Sequence, residues 1–398
     1  MSIIRDNSRI SRLGHGQEKT SLGADKRRVK DNASSEKAAI VFARGFRELR
    51  RVPPETPLST WSNMLIQGDN LHVLEALIAE KEKGRIKNAD NTEGVRLIYI
   101  DPPFASGQTY RGADGRLAYG DKRSGDDFIA FITARLRPLR ELLSEDGSIY
   151  LHLDWRMAHY LKVVMDEVFG AENFLNEIIW SYGGRGAKSV ARQFSRNHDT
   201  ILLYRKKEHI FNPVMIEKRV AKGSNGFRCD SEGRWFKTAP RGDYTDRSIE
   251  RLEKQGRIYR TRTGSIRIKY FLREEGGSLI EEKRLGDVWD DIPDAMHIGA
   301  AEKTGYPTQK PEALLSRIIS ASSGTGDIVL DAFAGSGTTL VAAARSGRRW
   351  IGVDSSALAL ETIESRLGRS PAEGAGACSG KEGQKKCPLS PYILFHLD

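Results

Sequence analysis

The chain of 398 residues carries 63 Lys and Arg against 53 Asp and Glu, a net charge of +10, and 39% of it is hydrophobic. That is enough apolar material for a large core, which excludes a largely disordered chain, and the length suits one elaborated domain or two. Three cysteines (Cys229, Cys378, Cys387) exclude a disulfide scaffold and give no zinc spacing. The polar first 30 residues hold no apolar run of the signal-peptide kind, and no apolar stretch has the length of a membrane span, so a soluble protein of a reducing compartment is expected.

The charge is not spread evenly. Residues 1–60 carry +6, residues 205–285 carry +9, and the remainder carries −5. A segregated basic excess points to a polyanionic partner such as nucleic acid, with a solvated basic face as the competing reading.

In chain order, residues 1–35 read as a basic, Ser- and Gly-containing tail, and 36–51 as a short amphipathic helix ended by Pro53, Pro54 and Pro57. Met64–Gln67 predicts a strand running into Gly68-Asp69-Asn70, and residues 71–80 have helical apolar spacing. Residues 95–100 predict a buried strand, stopped by Asp101-Pro102-Pro103-Phe104. A helix over 128–143, interrupted by Pro138, precedes a strand at 148–153 and a helix over 157–169 that Gly170 ends. Two more strands are expected at 178–180 and 200–204, the second followed by Arg205-Lys206-Lys207. From 205 to 285 short, Gly- and charge-rich alternating pieces (257–259, 265–271) predict a small, mainly β insertion. The α/β texture then returns: helix 311–320, strand 328–330, helix 338–346, strand 350–353 ending at Asp354, and helix 358–367. Residues 370–398 read as a polar, loosely ordered tail. Strands alternating with helices of 10–15 residues predict a mostly parallel sheet covered on both faces.

Two segments carry chemistry. Val329–Thr339 runs from a strand through Asp331-Ala332-Phe333-Ala334-Gly335-Ser336-Gly337-Thr338 into a helix. Glycines there let the backbone approach a ligand and the helix terminus offers free N–H groups, although such a match can also be a plain tight turn. Asp354, at the end of the next strand, lies where a carboxylate grips a ribose diol. The loop lacks the Gly-Lys-Ser/Thr ending of a P-loop and the third glycine of the dinucleotide fingerprint, so adenosine without a pyrophosphate, as in S-adenosylmethionine, fits better than ATP or NAD. The second segment, Asp101–Phe104, is either a rigid turn with Phe104 in the core or a binding turn. Its two prolines remove two backbone donors and leave a carboxylate, a free carbonyl and an aromatic face, a set that suits a planar ring bearing an exocyclic amine.

Both segments resemble one known family. Asp101-Pro102-Pro103-Phe104 is similar to the Asp/Asn/Ser-Pro-Pro-Tyr/Phe motif of S-adenosylmethionine-dependent amino methyltransferases, and Asp331–Thr339 resembles their Phe-x-Gly-x-Gly cofactor motif. Tyr306-Pro307-Thr308-Gln309-Lys310-Pro311 resembles the segment that precedes the cofactor loop in DNA methyltransferases of the permuted, beta arrangement. Residues 147–154 and 176–180 look like central strands of that family. The catalytic turn stands upstream of the cofactor loop here, with the basic insertion between them, whereas ribosomal-RNA guanine methyltransferases place the cofactor loop first. The loop departs from the family's Asp-Pro-Phe at Ala332.

The resemblance implies a circularly permuted, Rossmann-like methyltransferase domain in two parts (61–204 and 286–369), a target-recognition insertion (205–285), a basic arm (1–60) and a flexible tail (370–398). It implies Asp101, Pro102, Pro103 and Phe104 as catalytic residues. Asp69, Lys310, Asp331, Phe333, Ala334, Gly335, Ser336, Gly337, Thr338 and Asp354 are implied as cofactor-binding, with Arg205, Lys206 and Lys207 on DNA. The expected cofactor is S-adenosylmethionine and no metal is indicated; His152, His159 and His198 read as structural or rim residues. The expected partner is double-stranded DNA, with a homodimer and a cognate restriction endonuclease as further candidates, in a bacterial-type cytoplasm at the nucleoid. Aspartate at the head of the Pro-Pro motif looks like the adenine-N6 form; cytosine-N4 methylation, an RNA base amino methyltransferase and a catalytically dead DNA-binding module are the alternatives. Carbon-5 cytosine methylation needs a Pro-Cys nucleophile that the chain lacks.

Overall fold

A computed structural model describes residues 46–53, 61–123, 125–183, 194–368 and 390–397, all within one of the chain's two units, Ala39–Asp398. The N-terminal tail through residue 45 lies outside them.

The order of elements is β1 (Phe46–Val52), β2 (Asn63–Gln67), α1 (Asn70–Glu82), β3 (Val95–Ile100), a hairpin of β4 (Gln108–Arg111) and β5 (Leu117–Asp121), α2 (Gly125–Leu142), β6 (Leu143–Leu153), α3 (Ala158–Phe169), β7 (Phe174–Ser181) and β8 (His198–Arg205). An insertion follows with β9 (Met215–Ala221), β10 (Phe227–Cys229), β11 (Trp235–Pro240), α4 (Asp246–Lys254), β12 (Ile258–Arg260), β13 (Ile266–Phe271), β14 (Arg273–Glu275) and β15 (Ser278–Arg284). The chain then returns through β16 (Val288–Trp289), α5 (Glu312–Ser322), β17 (Ile328–Asp331), α6 (Thr338–Arg345), β18 (Arg349–Asp354), α7 (Ala357–Leu367) and β19 (Tyr392–Leu397).

Ten strands form one sheet in the order β1-β19-β2-β18-β17-β3-β6-β8-β7-β16. The run from β19 to β6 is parallel throughout; β8 is antiparallel to both of its neighbours, and β1 is antiparallel to β19. Because side chains alternate across a strand, β3 sends Ile98 and Ile100 to one face and Leu97 and Tyr99 to the other. The first pair joins α1, α2 and α3 in one core, through Val73, Leu77, Ile132, Leu136, Leu161 and Met165. The second joins α5, α6 and α7, through Leu314, Ile318, Leu340, Val341 and Ile363. Both faces are therefore covered, and all six residues of β3 are buried, as a near-continuous apolar run requires.

The order reverses between β17 and β3: from β17 the sheet grows through β18 and β2, from β3 through β6. Ligands of open α/β sheets lie outside the carboxyl ends of the strands at such a switch point. Here it sits between the strand ending in Asp331 and the strand ending before Asp101, far apart in sequence and adjacent in space.

Three expectations are corrected. Residues 46–51 are strand, not helix, because Tyr392–Phe395 supplies an edge to pair with, and Phe46 packs edge-on against Phe395, 6.2 Å between centroids. The C-terminal segment is not all loose tail: Tyr392, Ile393, Leu394 and Phe395 are buried and pair with β2. Pro138 does not interrupt α2, since the ring costs one helical hydrogen bond while Ile132, Leu136, Leu139 and Leu142 on the same face are buried in the core. The hairpin β4–β5 was not foreseen.

Candidate active site

At the carboxyl ends of β2, β18, β17 and β3 lies a cavity of about 560 Å³. Asp69, Asp101, Pro102, Pro103, Phe104, Lys310, Asp331, Phe333, Ala334, Gly335, Ser336, Thr338 and Asp354 all line it. The fold thus brings both motifs and the Tyr306–Lys310 segment to one place.

The glycine loop is shaped by steric need. Gly335 and Gly337 have φ of +50° and +76°, a region costly for residues with a Cβ. A Cβ on Gly337 would come within 2.7 Å of Ile363, so Gly337 packs the loop onto α7 and caps α6 rather than facing the cavity. Ala332, where the family has proline, is fixed instead by Asn70, whose amide donates to the Ala332 carbonyl at 2.8 Å.

Three carboxyls converge at the strand ends. Asp331 is fully buried and accepts from the Thr339 hydroxyl (2.5 Å) and the Phe333 N–H (3.0 Å); burial, with the nearby charges of Asp101 and Asp354, pushes it up to about 7. Asp354 is raised by burial as well, and accepts from Gly335 N–H (2.9 Å) and Ser356 N–H (2.8 Å). A pocket where carboxyls crowd favours a cationic guest. Asp69 caps α1 through the Leu71 N–H, and Arg135 donates to both of its oxygens at 3.3 and 3.2 Å.

The Asp-Pro-Pro-Phe turn is clamped from beyond itself. Asp121, at the end of β5 and buried, accepts the N–H groups of Phe104 (3.1 Å), Ala105 (2.8 Å) and Ser106 (2.8 Å). Those three bonds hold Ala105 at φ +55°, a strained value at a functional turn. Under the turn, the buried His152 links the Tyr99 hydroxyl (2.8 Å) to Asp199 (3.1 Å), with the Phe104 ring 6.2 Å away.

Asp101 itself has an asymmetric environment. Lys310 Nζ donates to Oδ2 at 2.5 Å, with both side chains largely buried, while Oδ1 is buried with no hydrogen-bond partner among the described residues. A buried acceptor is ordinarily satisfied, so Oδ1 is an acceptor awaiting a donor. The Lys310 carbonyl accepts from Thr338 Oγ1 at 3.0 Å, which joins catalytic turn and cofactor loop through one residue.

Arg205, Lys206 and Lys207 are not brought to this place. Arg205 pairs with Ser148 across β8 and β6, about 20 Å down the strand from the end that carries the site. Lys206 and Lys207 both bind Glu145, which these two hydrogen bonds pull down to about 2. Sequence reasoning missed Asp121, Arg135 and the tyrosines of the hairpin, Tyr110 and Tyr119, stacked 4.8 Å apart in the cavity wall. Only Tyr306, within the quoted segment, carried a signal.

The geometry accords with what this chain is similar to. The DNA methylase family, of N6 and N4 amino methyltransferases, matches residues 95–365. "Type II methyltransferase M.EcaI" of Enterobacter cloacae is 32% identical over 82% of this chain and 74% of its own. "DNA adenine methyltransferase YhdJ" of Escherichia coli K12 is 28% identical over 66% of this chain and 72% of its own. Among solved structures, the cytosine-N4-specific PvuII DNA methyltransferase covers 81% of this chain and 90% of its own at 14% identity and a TM-score of 0.45. The family match and the Enterobacter relative settle the matter: the chain belongs to the N6/N4 DNA methylases, amino methyltransferases that depend on S-adenosylmethionine.

Proposed function

We propose that the chain transfers a methyl group to the exocyclic N6 of an adenine flipped out of double-stranded DNA, as the modification arm of a restriction-modification pair. The observation that carries this is the buried Oδ1 of Asp101, which has no hydrogen-bond partner among the described residues, on a side chain that lines the cavity. The aspartate at the head of the Pro-Pro motif, and a relative named as a DNA adenine methyltransferase, support adenine over cytosine-N4.

S-adenosylmethionine fits the residues present. Gly335 leaves a side-chain-free wall beside Tyr306, where a Cβ would stand 3.5 Å from the ring. Asp354 suits the ribose, Asp69 the adenine end, and the three carboxyls a sulfonium. When bound, the cofactor supplies an electrophilic methyl.

The remaining work falls to the chain. A nucleobase amine is a poor nucleophile because its lone pair is delocalised into the ring. Accepting one N–H at Asp101 Oδ1 and the other at the Pro102 carbonyl favours a pyramidal nitrogen with its lone pair free. The Phe104 ring stacks on the base and fixes its plane, so orientation supplies much of the rate. As positive charge develops on nitrogen, the same fixed acceptors stabilise it, and being already in place they need not reorganise. Asp101 then takes the proton that the methylated ammonium sheds readily. Lys310, bound to Oδ2, keeps the carboxylate turned so that Oδ1 faces the target.

The +9 insertion serves as the target-recognition region, whose bound duplex presents the flipped base. Expression in a methylation-free host, followed by single-molecule sequencing of its DNA, tests the reading. N6-methyladenine at one recurring sequence is expected. N4-methylcytosine would overturn the adenine assignment, and unmodified DNA from cells holding the soluble protein would overturn the activity.

A further inference from the structure

Within the insertion, β10, β11, β13 and β12 form a four-stranded antiparallel sheet. One face is covered: Ile249 and Leu252 of α4 pack on Ile268, with Ile258, Ile266 and Tyr270 around them. Side chains alternate along each strand, so the cross-strand register places Arg228, Phe236, Tyr259, Arg267, Lys269 and Phe271 together on the opposite face. Among the described residues no carboxylate shares that face of the four strands.

Several basic residues elsewhere in the insertion are neutralised by carboxylates, as in Lys237–Glu281, Arg234–Asp230, Arg260–Glu253 and Arg273–Glu217. Arg228 instead lies 4.8 Å from the Tyr259 ring centroid and donates to its hydroxyl at 2.7 Å. Arg267 donates to the Thr238 hydroxyl (2.8 Å) and carbonyl (3.0 Å). Lys269 Nζ stands 4.8 Å from the ring of Phe236. Phe236 is buried between Tyr259 (6.1 Å) and Phe271 (6.2 Å), and Phe271 is 38% exposed. Neutral acceptors and aromatic faces thus fix three side chains in place and leave their charge uncompensated.

We infer that this uncovered cation–aromatic face is the surface by which the insertion grips the sugar-phosphate backbone of double-stranded DNA. The inference deepens the proposed function and rests on it. Three positive charges with no carboxylate among them are complementary to a row of phosphates, and their fixed rotamers lower the ordering cost of contact. An acidic protein surface would meet the same charge, but the edges of Tyr259 and Phe271 between the cations suit the alternation of phosphate and deoxyribose better.

The test is duplex binding by the full chain at 50 to 200 mM salt, with S-adenosylmethionine binding measured in parallel. Each phosphate contact contributes roughly 0.9 to the slope of log K against log salt. Arg228→Gln/Arg267→Gln/Lys269→Gln should therefore flatten the slope by about 2.7, so that affinity changes about 40-fold less across that range. Arg228→Gln/Lys269→Gln, which spares the Thr238 contacts, should flatten it by about 1.8 if the triple variant fails to fold. Arg260→Gln, on the helix-covered face, should leave the slope as it was. An unchanged slope in the double variant, or an equal change in Arg260→Gln, overturns the inference. If the wild-type chain neither binds nor methylates duplex DNA, the proposed function falls as well, a result distinct from a wild type that methylates through another surface.

Discussion

Replacing Lys310 by Met strips Asp101 of its one cationic partner among the described residues. The two side chains are 11% and 17% exposed and 2.5 Å apart, and the other carboxylate oxygen has no partner among the described residues to fall back on. Removing one member of a fully buried pair costs about 3–5 kcal/mol; the residual exposure and the adjoining cavity reduce that to about 2–3 kcal/mol. Asp101→Asn leaves an amide oxygen that Lys310 can still reach, so it should cost about 1–2 kcal/mol. The double variant should lose less than the sum by about 1–2 kcal/mol, because neither residue is then stranded. Urea unfolding of the four proteins measures the cycle. Methyl transfer at saturating DNA should fall at least ~100-fold in Asp101→Asn, and should also fall in Lys310→Met through lost orientation. Additive stabilities, together with full turnover in Lys310→Met, would refute the positioning argument.

Asp331 is protonated in the fold up to about pH 7, against an ordinary 3.8, so the native state holds an extra proton between those values. That contribution is fully present below about pH 3.8 and is lost as pH rises to about 7, by at most about 4 kcal/mol at 1.36 kcal/mol per pH unit; Asp331→Asn should flatten the dependence of the unfolding midpoint between pH 4 and 8, and an unaltered dependence would refute it. Gly337→Ala meets both a left-handed backbone and Ile363 at 2.7 Å, for a cost of about 2–4 kcal/mol. Gly107→Ala, at the same φ with nothing among the described residues within 4 Å, should cost about 1–2 kcal/mol; equal melting shifts would refute the packing argument. Asp121→Ala frees three N–H groups of the catalytic turn and should lower kcat about tenfold or more while S-adenosylmethionine affinity, by calorimetry, holds; a loss confined to cofactor affinity would refute the clamp.

Much of this protein is written locally. The buried run at 95–100, the loop glycines and the acid after 350–353 announce themselves because backbone freedom, apolar continuity and strand length are properties of neighbouring residues. Those same local signals carried the family resemblance, and with it the cofactor loop and the Asp101 turn. Two of the misreadings share a cause, which is that the deciding partner is distant. Phe46–Val52 becomes a strand because Tyr392–Leu397 lies beside it, and that segment is held in turn between β1 and β2.

The site divides in the same way. That Asp101, Gly335 and Asp354 matter was legible in their motifs. That Lys310 binds Asp101 across 209 positions, that Asp121 clamps the turn, and that Lys206 and Lys207 are spent on Glu145 at the far end of the sheet were decided by tertiary structure alone. The net +10 shows the division most plainly. Sequence could locate its excess in residues 205–285, but which cations keep their charge depends on which face α4 covers and where each carboxylate falls, and neither follows from order along the chain.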